Sequence, residues 1–248
     1  VYDVPIDALN KPGLPLPAGD LSVRGAITIC VVAAAASLAL GALWGTPALL
    51  ATLGGSLALG LAYSVDAPGL RWKRHPALAA ACILAVRAVG VQAGFFAHVR
   101  SALAASGVSV VSSTTSTSPT TPPALAFAVT AMLAFSLAIA VLKDTPDVAG
   151  DARAGLRTLS VRAGAPAVFK GAVGALSACY ALAIGWTLAA CTSPATRAIA
   201  AGGHALAAAF LARTAAATDP DNKASLDSAY MRLWALFYFE YLLIPFVR

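Results

Sequence analysis

The chain has 248 residues, of which 59% are hydrophobic and only 11% are charged, whereas soluble domains are roughly 45–50% apolar and 25% charged. This composition excludes an ordinary soluble domain and predicts an integral membrane protein. The net charge of +6 does not indicate a nucleic-acid-binding protein, because the cations lie between long apolar runs and form no basic stripe with interleaved aromatic residues. Membrane topology and phosphate binding account for the charge better.

Seven runs of mostly apolar residues are each long enough to cross a bilayer as a helix, which takes about 20 residues. They cover residues 24–44, 46–65, 76–99, 122–142, 165–191, 195–216 and 226–247. Because lipid offers the backbone no hydrogen-bond partner, runs of this length are helices. The sequence therefore predicts an all-α membrane protein, a transmembrane helical bundle that forms a single domain over residues 1–248. The four cysteines lie within these runs without a Cys-x-x-Cys pair, so neither a zinc site nor a disulfide framework is indicated.

The connections between the runs alternate between two sides of the membrane. Side X receives the N-terminal segment and the loops at 65–75, 143–164 and 217–225. Ten of the eleven acidic residues and most of the basic ones lie on side X or at its boundary, so by the positive-inside rule this side faces the cytosol or an equivalent compartment such as the plastid stroma. The opposite side carries a Ser/Thr/Pro-rich loop at 101–121, to which we assign no chemistry.

The first group of polar residues with a chemical pattern is Asp3 and Asp7, followed by Asn10 and Lys11. A spacing of four residues places the two carboxylates on one face of a helix. Two such charges repel each other unless a cation lies between them. A site that offers only oxygen ligands suits Mg²⁺.

A second acidic motif on side X contains Asp144, Asp147 and Asp151. We place Pro146 in the first turn of a helix, where its missing N–H costs little, so that Asp147 and Asp151 share a face. For any single aspartate, the alternative is an acidic loop that merely borders the membrane. Two spaced pairs on one side, together with basic loops, favour a site for Mg²⁺ and a diphosphate.

Basic residues lie in the loop that precedes the third run. Tyr63 comes just before this loop, and Arg71, Lys73 and Arg74 lie within it. Arginine binds phosphate in a bidentate manner and lysine binds it as a point charge, so the loop is a candidate clamp for the diphosphate. The alternative is that these cations only anchor a helix end at the membrane surface.

Further candidate phosphate-binding cations flank the second acidic motif. They are Lys143, Arg153 and Arg157. The four-residue spacing of the two arginines predicts that they share a helical face. The second motif thus combines candidate Mg²⁺ ligands with candidate diphosphate ligands.

Arg87 lies in the middle of an apolar run. An ionisable group at that depth is rare unless it faces a cavity or a partner. We therefore regard Arg87 as a candidate catalytic residue, and the alternative is a structural pair, for example with Glu240. His98 and His204 are interpreted as polar contacts between helices and receive no catalytic role.

Several segments resemble the UbiA superfamily of intramembrane prenyltransferases, and more narrowly its homogentisate prenyltransferase branch. These segments are 3–19 (DVPIDALNKPGLPLPAG), 63–74 (YSVDAPGLRWKR), 82–98 (CILAVRAVGVQAGFFAH), 143–164 (KDTPDVAGDARAGLRTLSVRAG) and 236–248 (LFYFEYLLIPFVR). The strings LRWKR and CILAVRA are more similar to phytyltransferases than to solanesyltransferases.

The resemblance implies a UbiA-like bundle of nine transmembrane helices around a lateral cavity, of which this chain would hold seven. It implies that Asp3 and Asp7 form the first metal-binding motif and that Asp147 and Asp151, with Asp144 beside them, form the second. It further implies Mg²⁺-dependent transfer of a phytyl group from phytyl diphosphate to homogentisate, with decarboxylation, in tocopherol biosynthesis. The expected setting is a plastid membrane, with the site facing the stroma.

Two positions depart from the family pattern. The Asn-Gln that leads the first motif would precede Val1, and Pro5 stands where the family often has an acid. We therefore expect two further helices upstream and an inactive chain without them. Within the family, the alternatives are a homogentisate solanesyl- or geranylgeranyltransferase and a chlorophyll synthase. Outside it, the alternative is a membrane transporter, which predicts polar groups at the membrane midplane and not paired acidic motifs in loops.

Overall fold

Helices and turns make up the part of the chain that the structure, a computed structural model, describes: residues 1–107, 123–153 and 155–247. No strand occurs among these residues, which confirms the all-α prediction. The chain divides into two units, residues 1–120 and 121–248. Each unit is described by itself.

The first unit begins with two short helices and continues with long ones. Its α-helices are α1 (Val4–Asn10), α2 (Pro15–Ala18), α3 (Val23–Trp44), α4 (Pro47–Ser64), α5 (Pro76–Ile83) and α6 (Val91–Ala105). A 3-10 turn at Trp72–Arg74 precedes α5, and a π-helical turn at Leu84–Gly90 joins α5 to α6. The hydroxyls of Ser22 and Thr46 cap α3 and α4 by accepting hydrogen bonds from backbone amides three residues on.

Helices α4 and α6 approach closely because Gly94 has no side chain. A Cβ atom built on Gly94 would lie 1.8 Å from Thr52 Oγ1 and 2.8 Å from Thr52 Cβ. Thr52 cannot easily turn away, because its hydroxyl donates a 2.8 Å hydrogen bond to the carbonyl of Ala48 and its β-branched side chain is stiff. A second link between the helices joins Thr46 Oγ1 and His98 Nδ1 at 3.1 Å.

The second unit contains α7 (Pro123–Leu142), α8 (Val148–Arg153), α9 (Leu159–Ala163), α10 (Ala165–Ala190), α11 (Pro194–Ala216) and α12 (Lys223–Leu243). A 3-10 turn at Ile244–Phe246 follows α12. Helix α7 is central: 56% of its most apolar 18-residue window is buried, against none of the corresponding window of α4. Phe135 on α7 packs edge-on against Tyr180 of α10 and Phe237 of α12.

All seven predicted apolar runs form long helices with bounds within a few residues of those expected, apart from the third, which continues to Ala105. Within the described ranges, six of them are long and apolar enough to cross a membrane. Helix α12 is not among these six, since it carries Lys223, Asp227, Arg232 and Glu240. The predicted low-complexity loop at 101–121 starts too early, because α6 runs through its first five residues, and its positions 108–121 lie outside the described residues.

We expect Gly94→Ala to destabilise the protein, because the added methyl group forces α4 and α6 apart. Overpacking of this kind costs about 1–3 kcal/mol. The expected result is a lower melting temperature in detergent. Gly55→Ala is the matched control, since a Cβ there meets nothing within 4 Å and alanine is the better helix former. Equal melting temperatures for the two variants would contradict the close approach of α4 and α6.

Candidate functional site

The first acidic motif lies on the short helix α1. Asp3 directly precedes the helix, and the amide of Asp7 donates a 2.8 Å hydrogen bond to the carbonyl of Asp3. The two aspartates are therefore one helical turn apart, as their spacing predicted. Asn10 is the last residue of α1, and Lys11 follows it in an exposed position.

Asp3 is held by two cations of the loop between α4 and α5. Lys73 Nζ donates a short hydrogen bond to Asp3 Oδ2, and Arg71 Nη2 lies 3.4 Å from Asp3 Oδ1. Arg71 also donates to the carbonyl of Tyr2 at 3.1 Å. These contacts join the predicted basic loop to the first acidic motif across about 70 residues of sequence.

Partial burial and the two cations act in opposite directions on the Asp3 carboxyl. Burial raises its pKa, but the hydrogen bonds and charges of Lys73 and Arg71 outweigh burial and hold the pKa below its ordinary value. The ion pair therefore stabilises the folded chain above about pH 3.9, the usual aspartate pKa. This contribution is lost as the pH falls through the lowered pKa of the folded state.

The basic loop owes its shape to two residues in the left-handed region, Gly69 at φ 77° and Arg71 at φ 60°. Trp72 Nε1 donates a 2.9 Å hydrogen bond to the carbonyl of Gly69 and closes the turn. Arg71 contacts Asp66 through a short hydrogen bond, and Arg74 Nη2 lies 3.5 Å from the same carboxylate. The three predicted cations thus lie beside two carboxylates, which leaves a compact patch of mixed charge.

The second acidic motif lies between α7 and α8 and is more buried than the first. Asp147 is 7% exposed and Asp151 is 5% exposed. The amide of Asp151 donates a 2.9 Å hydrogen bond to the carbonyl of Asp147, so these two carboxylates are again one turn apart. The prediction for Pro146 is wrong: α8 begins at Val148, and Pro146 lies in the preceding turn, not in the first helical turn.

Lys223, which was not among the predicted site residues, contacts the second motif. Its Nζ lies 3.1 Å from Asp147 Oδ1 and 3.1 Å from the carbonyl oxygen of Pro146. In the sequence, Lys223 is only one more cation of the loop predicted at 217–225, three residues before the last apolar run. The structure begins α12 at Lys223, earlier than predicted.

The three cations predicted for the second motif differ in their positions. Lys143 Nζ lies 3.4 Å from Asp144 Oδ1. Arg153 and Arg157 are both exposed, and the prediction that they share a helical face is wrong. Helix α8 ends at Arg153, and Gly155 at φ 72° turns the chain out of the helix before Arg157.

Arg87 lies in the π-helical turn between α5 and α6. The amide of Val91 bonds to the carbonyl of Val86, five residues back instead of four. Such turns occur frequently at functional sites. Arg87 and Tyr63 both line a cavity of about 220 Å³, together with Ser56, Leu59, Gly60, Cys82, Ile83 and Val86. The structure therefore brings two of the predicted site residues, one from α4 and one from the turn, to a single cavity.

Glu240, suggested above as a structural partner for Arg87, has a different partner within the second unit. Its Oε2 lies 3.2 Å from His204 Nε2, and both side chains are buried. This contact joins α12 to α11. His204 is thus a polar contact between helices, as predicted, and His98 is another.

The residues of the two motifs fit Mg²⁺ by their chemistry. Each motif supplies carboxylates one turn apart and no sulfur or imidazole ligand, which suits a hard cation. Within the described residues, no group of three or more His, Cys, Asp or Glu side chains is placed to hold a metal ion. Mg²⁺ in proteins is usually held by one or two carboxylates together with substrate phosphates and water, and each motif offers such a pair.

The family model described as the UbiA prenyltransferase family matches residues 1–236. A homogentisate geranylgeranyltransferase of Triticum aestivum is 41% identical over 248 residues, which are 100% of this chain and 58% of that protein. A probable homogentisate phytyltransferase 1, chloroplastic, of Oryza sativa subsp. japonica is 42% identical over 250 residues, which cover 100% of this chain and 58% of that protein. Homogentisate phytyltransferase 1, chloroplastic, of Arabidopsis thaliana is 40% identical over 248 residues, which cover 99% of this chain and 60% of that protein. The chain therefore spans about three fifths of the length of these relatives. No solved structure matches.

We expect Lys73→Gln to loosen the attachment of α1 to the basic loop, because it removes one of the two cations that hold Asp3. The measurement is a distance distribution between spin labels at the exposed positions Leu9 and Leu70, in a variant without native cysteines. The distribution should broaden. In the control Arg74→Gln it should not, since the contact of Arg74 is with Asp66. A narrow distribution in both variants would contradict the role of Lys73.

Proposed function

Because the chain belongs to the UbiA prenyltransferase family, we propose that it transfers a prenyl group from a prenyl diphosphate to the ring of homogentisate. The observation that carries this proposal is the match of nearly the whole chain to relatives named for homogentisate prenyl transfer. The proposed reaction breaks the C–O bond to the diphosphate and forms a C–C bond to the ring. Carbon dioxide leaves, and the proton that the ring loses balances the proton that the new methyl group gains.

We propose phytyl diphosphate as the donor, on the strength of the phytyltransferase-like strings at 70–74 and 82–88. The relatives from rice and Arabidopsis are named phytyltransferases, which supports this donor. The relatives from wheat and barley are named geranylgeranyltransferases at 41% and 40% identity. Geranylgeranyl diphosphate is therefore the second candidate.

In this proposal, Asp3, Asp7, Asp147 and Asp151 hold Mg²⁺, with Asp144 beside the second pair. Bound Mg²⁺ neutralises the negative charge of the diphosphate leaving group. We propose diphosphate-binding roles for Arg71, Lys73 and Arg74 of the basic loop and for Asn10 and Lys11 at the end of α1. Lys143, Arg153 and Arg157, near the second motif, are given the same role. Catalysis then rests mainly on stabilisation of the leaving group and on positioning.

The departure of the diphosphate leaves an allylic carbocation, which must be kept from water. Helices α7 and α10 line an apolar groove of about 510 Å³ with residues that include Phe127, Leu182 and Trp186. The groove is open at the helix surface, where Leu182 is 74% exposed and Trp186 is 44% exposed. Its volume lies within the range of roughly 300–1,000 Å³ that is usual for small-molecule sites, and its apolar lining supports the binding of a long prenyl chain in the second unit.

In the first unit, the cavity with Arg87 and Tyr63 supports a polar binding role. Arg87 is half-buried in the middle of an apolar run, and a cation at such a position is rare unless it faces a cavity or a partner. We propose that Arg87 binds either the carboxylate of homogentisate or the diphosphate of the donor. Tyr63, at the end of α4, would contribute its hydroxyl to the same substrate.

We further propose a plastid membrane as the location, with both acidic motifs on the stromal side. The relatives from rice and Arabidopsis carry the word chloroplastic in their names. In each unit, a pair of long helices separates an aspartate from the lysine that contacts it. An even number of crossings returns the chain to the same side, which supports a shared side for each motif and its basic partner.

The function is tested by incubating the intact protein in lipid with Mg²⁺, homogentisate and labelled phytyl diphosphate. We expect a prenylated, decarboxylated quinol, and a loss of about 100-fold or more in turnover for Asp151→Asn, because one charged ligand of the leaving-group site is removed. Geranylgeranyl and solanesyl diphosphates and the acceptor chlorophyllide are run in parallel. Transfer to chlorophyllide alone would identify a chlorophyll synthase. No product from any pair would favour a transporter.

We expect Arg87→Leu to raise KM for homogentisate or the donor, or to lower kcat, by about tenfold or more. This is the effect of losing a charge-assisted hydrogen bond of about 1.5–3 kcal/mol. Steady-state kinetics and the detergent melting temperature are both measured. Arg100→Leu, at an exposed position on α6, is the control and should leave the kinetics unchanged. Wild-type kinetics with a lowered melting temperature would show that Arg87 has only a structural role.

A further inference from the structure

We propose that Lys223 is a positioning residue for the second acidic motif, which it holds through Asp147 and the preceding turn. This inference rests on the proposed function, in which Asp147 is a Mg²⁺ ligand. Lys223 is not itself assigned to the substrate or the metal. Its effect is exerted through the carboxylate that it contacts.

The contact is made at two points. Lys223 Nζ lies 3.1 Å from Asp147 Oδ1 and 3.1 Å from the carbonyl oxygen of Pro146. The first contact fixes the direction of the carboxylate. The second fixes the backbone of the turn on which that carboxylate is mounted. A single ammonium group therefore contacts both the side chain of Asp147 and the backbone turn that precedes it.

The two partners differ in their exposure to water. The Asp147 side chain is 9% exposed, whereas that of Lys223 is 50% exposed. A buried carboxylate is unfavourable unless a charge or hydrogen-bond donor compensates for the water that it has lost. Lys223 supplies that charge from a side chain that is itself half exposed. The contact therefore stabilises the buried carboxylate of Asp147 more than it stabilises the half-exposed lysine.

The position of Lys223 in its own helix also supports the positioning role. Asn222 caps α12 by accepting a 3.0 Å hydrogen bond from the amide of Ser225, so Lys223 is the first residue of the helix. The positive end of the helix dipole disfavours a cation there. A lysine at this position is therefore not explained by helix stability, and its contact with Asp147 supplies the compensating interaction.

The first unit contains the same arrangement independently. There Lys73 contacts Asp3, the leading aspartate of the first motif, and two long helices, α3 and α4, lie between the two residues. In the second unit, α10 and α11 lie between Asp147 and Lys223. The sequence separations are 70 and 76 residues. Lys223 is thus the topological counterpart of Lys73.

Mg²⁺ binding by the intact protein in lipid nanodiscs, measured by calorimetry without substrates, tests this proposal. Loss of a residue that orients a metal ligand typically weakens metal binding by about 10- to 100-fold. We expect this loss for Lys223→Gln and for Lys223→Met, which keeps the aliphatic stem. Lys223→Arg should recover most of it. Lys170→Gln removes an exposed cation on α10 of the same unit and should match the wild type.

A double-variant comparison separates positioning from a general effect of charge. In an Asp147→Asn background, Lys223→Gln should cause a much smaller loss of Mg²⁺ affinity, because only its contact with the carbonyl of Pro146 remains to be lost. The proposal is overturned if a folded Lys223→Gln protein binds Mg²⁺ as well as or better than the wild type. It is also overturned if Lys170→Gln weakens binding equally, or if the loss persists in full in the Asp147→Asn background.

Failure of the positioning role can be told apart from failure of the proposed reaction. If the wild type transfers a prenyl group while Lys223→Gln binds Mg²⁺ normally, the positioning role fails and the function stands. If no substrate pair gives product but Lys223→Gln weakens Mg²⁺ binding, the positioning role stands and the proposed reaction fails. With an active wild type, Lys223→Gln should also raise the Mg²⁺ concentration needed for half-maximal turnover.

Discussion

A peptide group in the hydrocarbon core of a membrane has no water to bond with, so each crossing must satisfy its own backbone. Every long element that the structure describes is accordingly a helix, and the polar chemistry is displaced to helix ends and short connections. The helices pack through small residues where they come closest, as Gly94 does against Thr52. The rigid helices then hold in place the short connections that carry the second acidic motif and the basic loop.

A second constraint acts at the helix ends. Burying a carboxylate away from water destabilises the folded protein unless a cation lies near it. Asp3 and Asp147 meet this requirement with lysines that are distant in sequence and near in space. Each acidic motif is thereby tied to a helix or loop far from it along the chain.

The sequence predicted the features that depend on local pattern. The long helices follow from apolar runs, and the one-turn separation of Asp147 and Asp151 follows from spacing. It did not predict the features that depend on backbone detail or on distant contacts. Pro146 was placed in a helix that begins two residues later, and Arg157 was placed in a helix that Gly155 ends. Lys223 was missed because nothing in the local sequence reveals a partner 76 residues away.

The separation of each aspartate from its lysine has a consequence for how the protein is made. Asp3 leaves the ribosome before α3 and α4, and Lys73 emerges only after both. When both helices cross the membrane as a hairpin, Asp3 and Lys73 lie on the same side and the ion pair can close. Asp147 and Lys223 are related in the same way through α10 and α11. If only one helix of a hairpin crosses, the lysine lies on the opposite side of the membrane from its aspartate, and the pair cannot form.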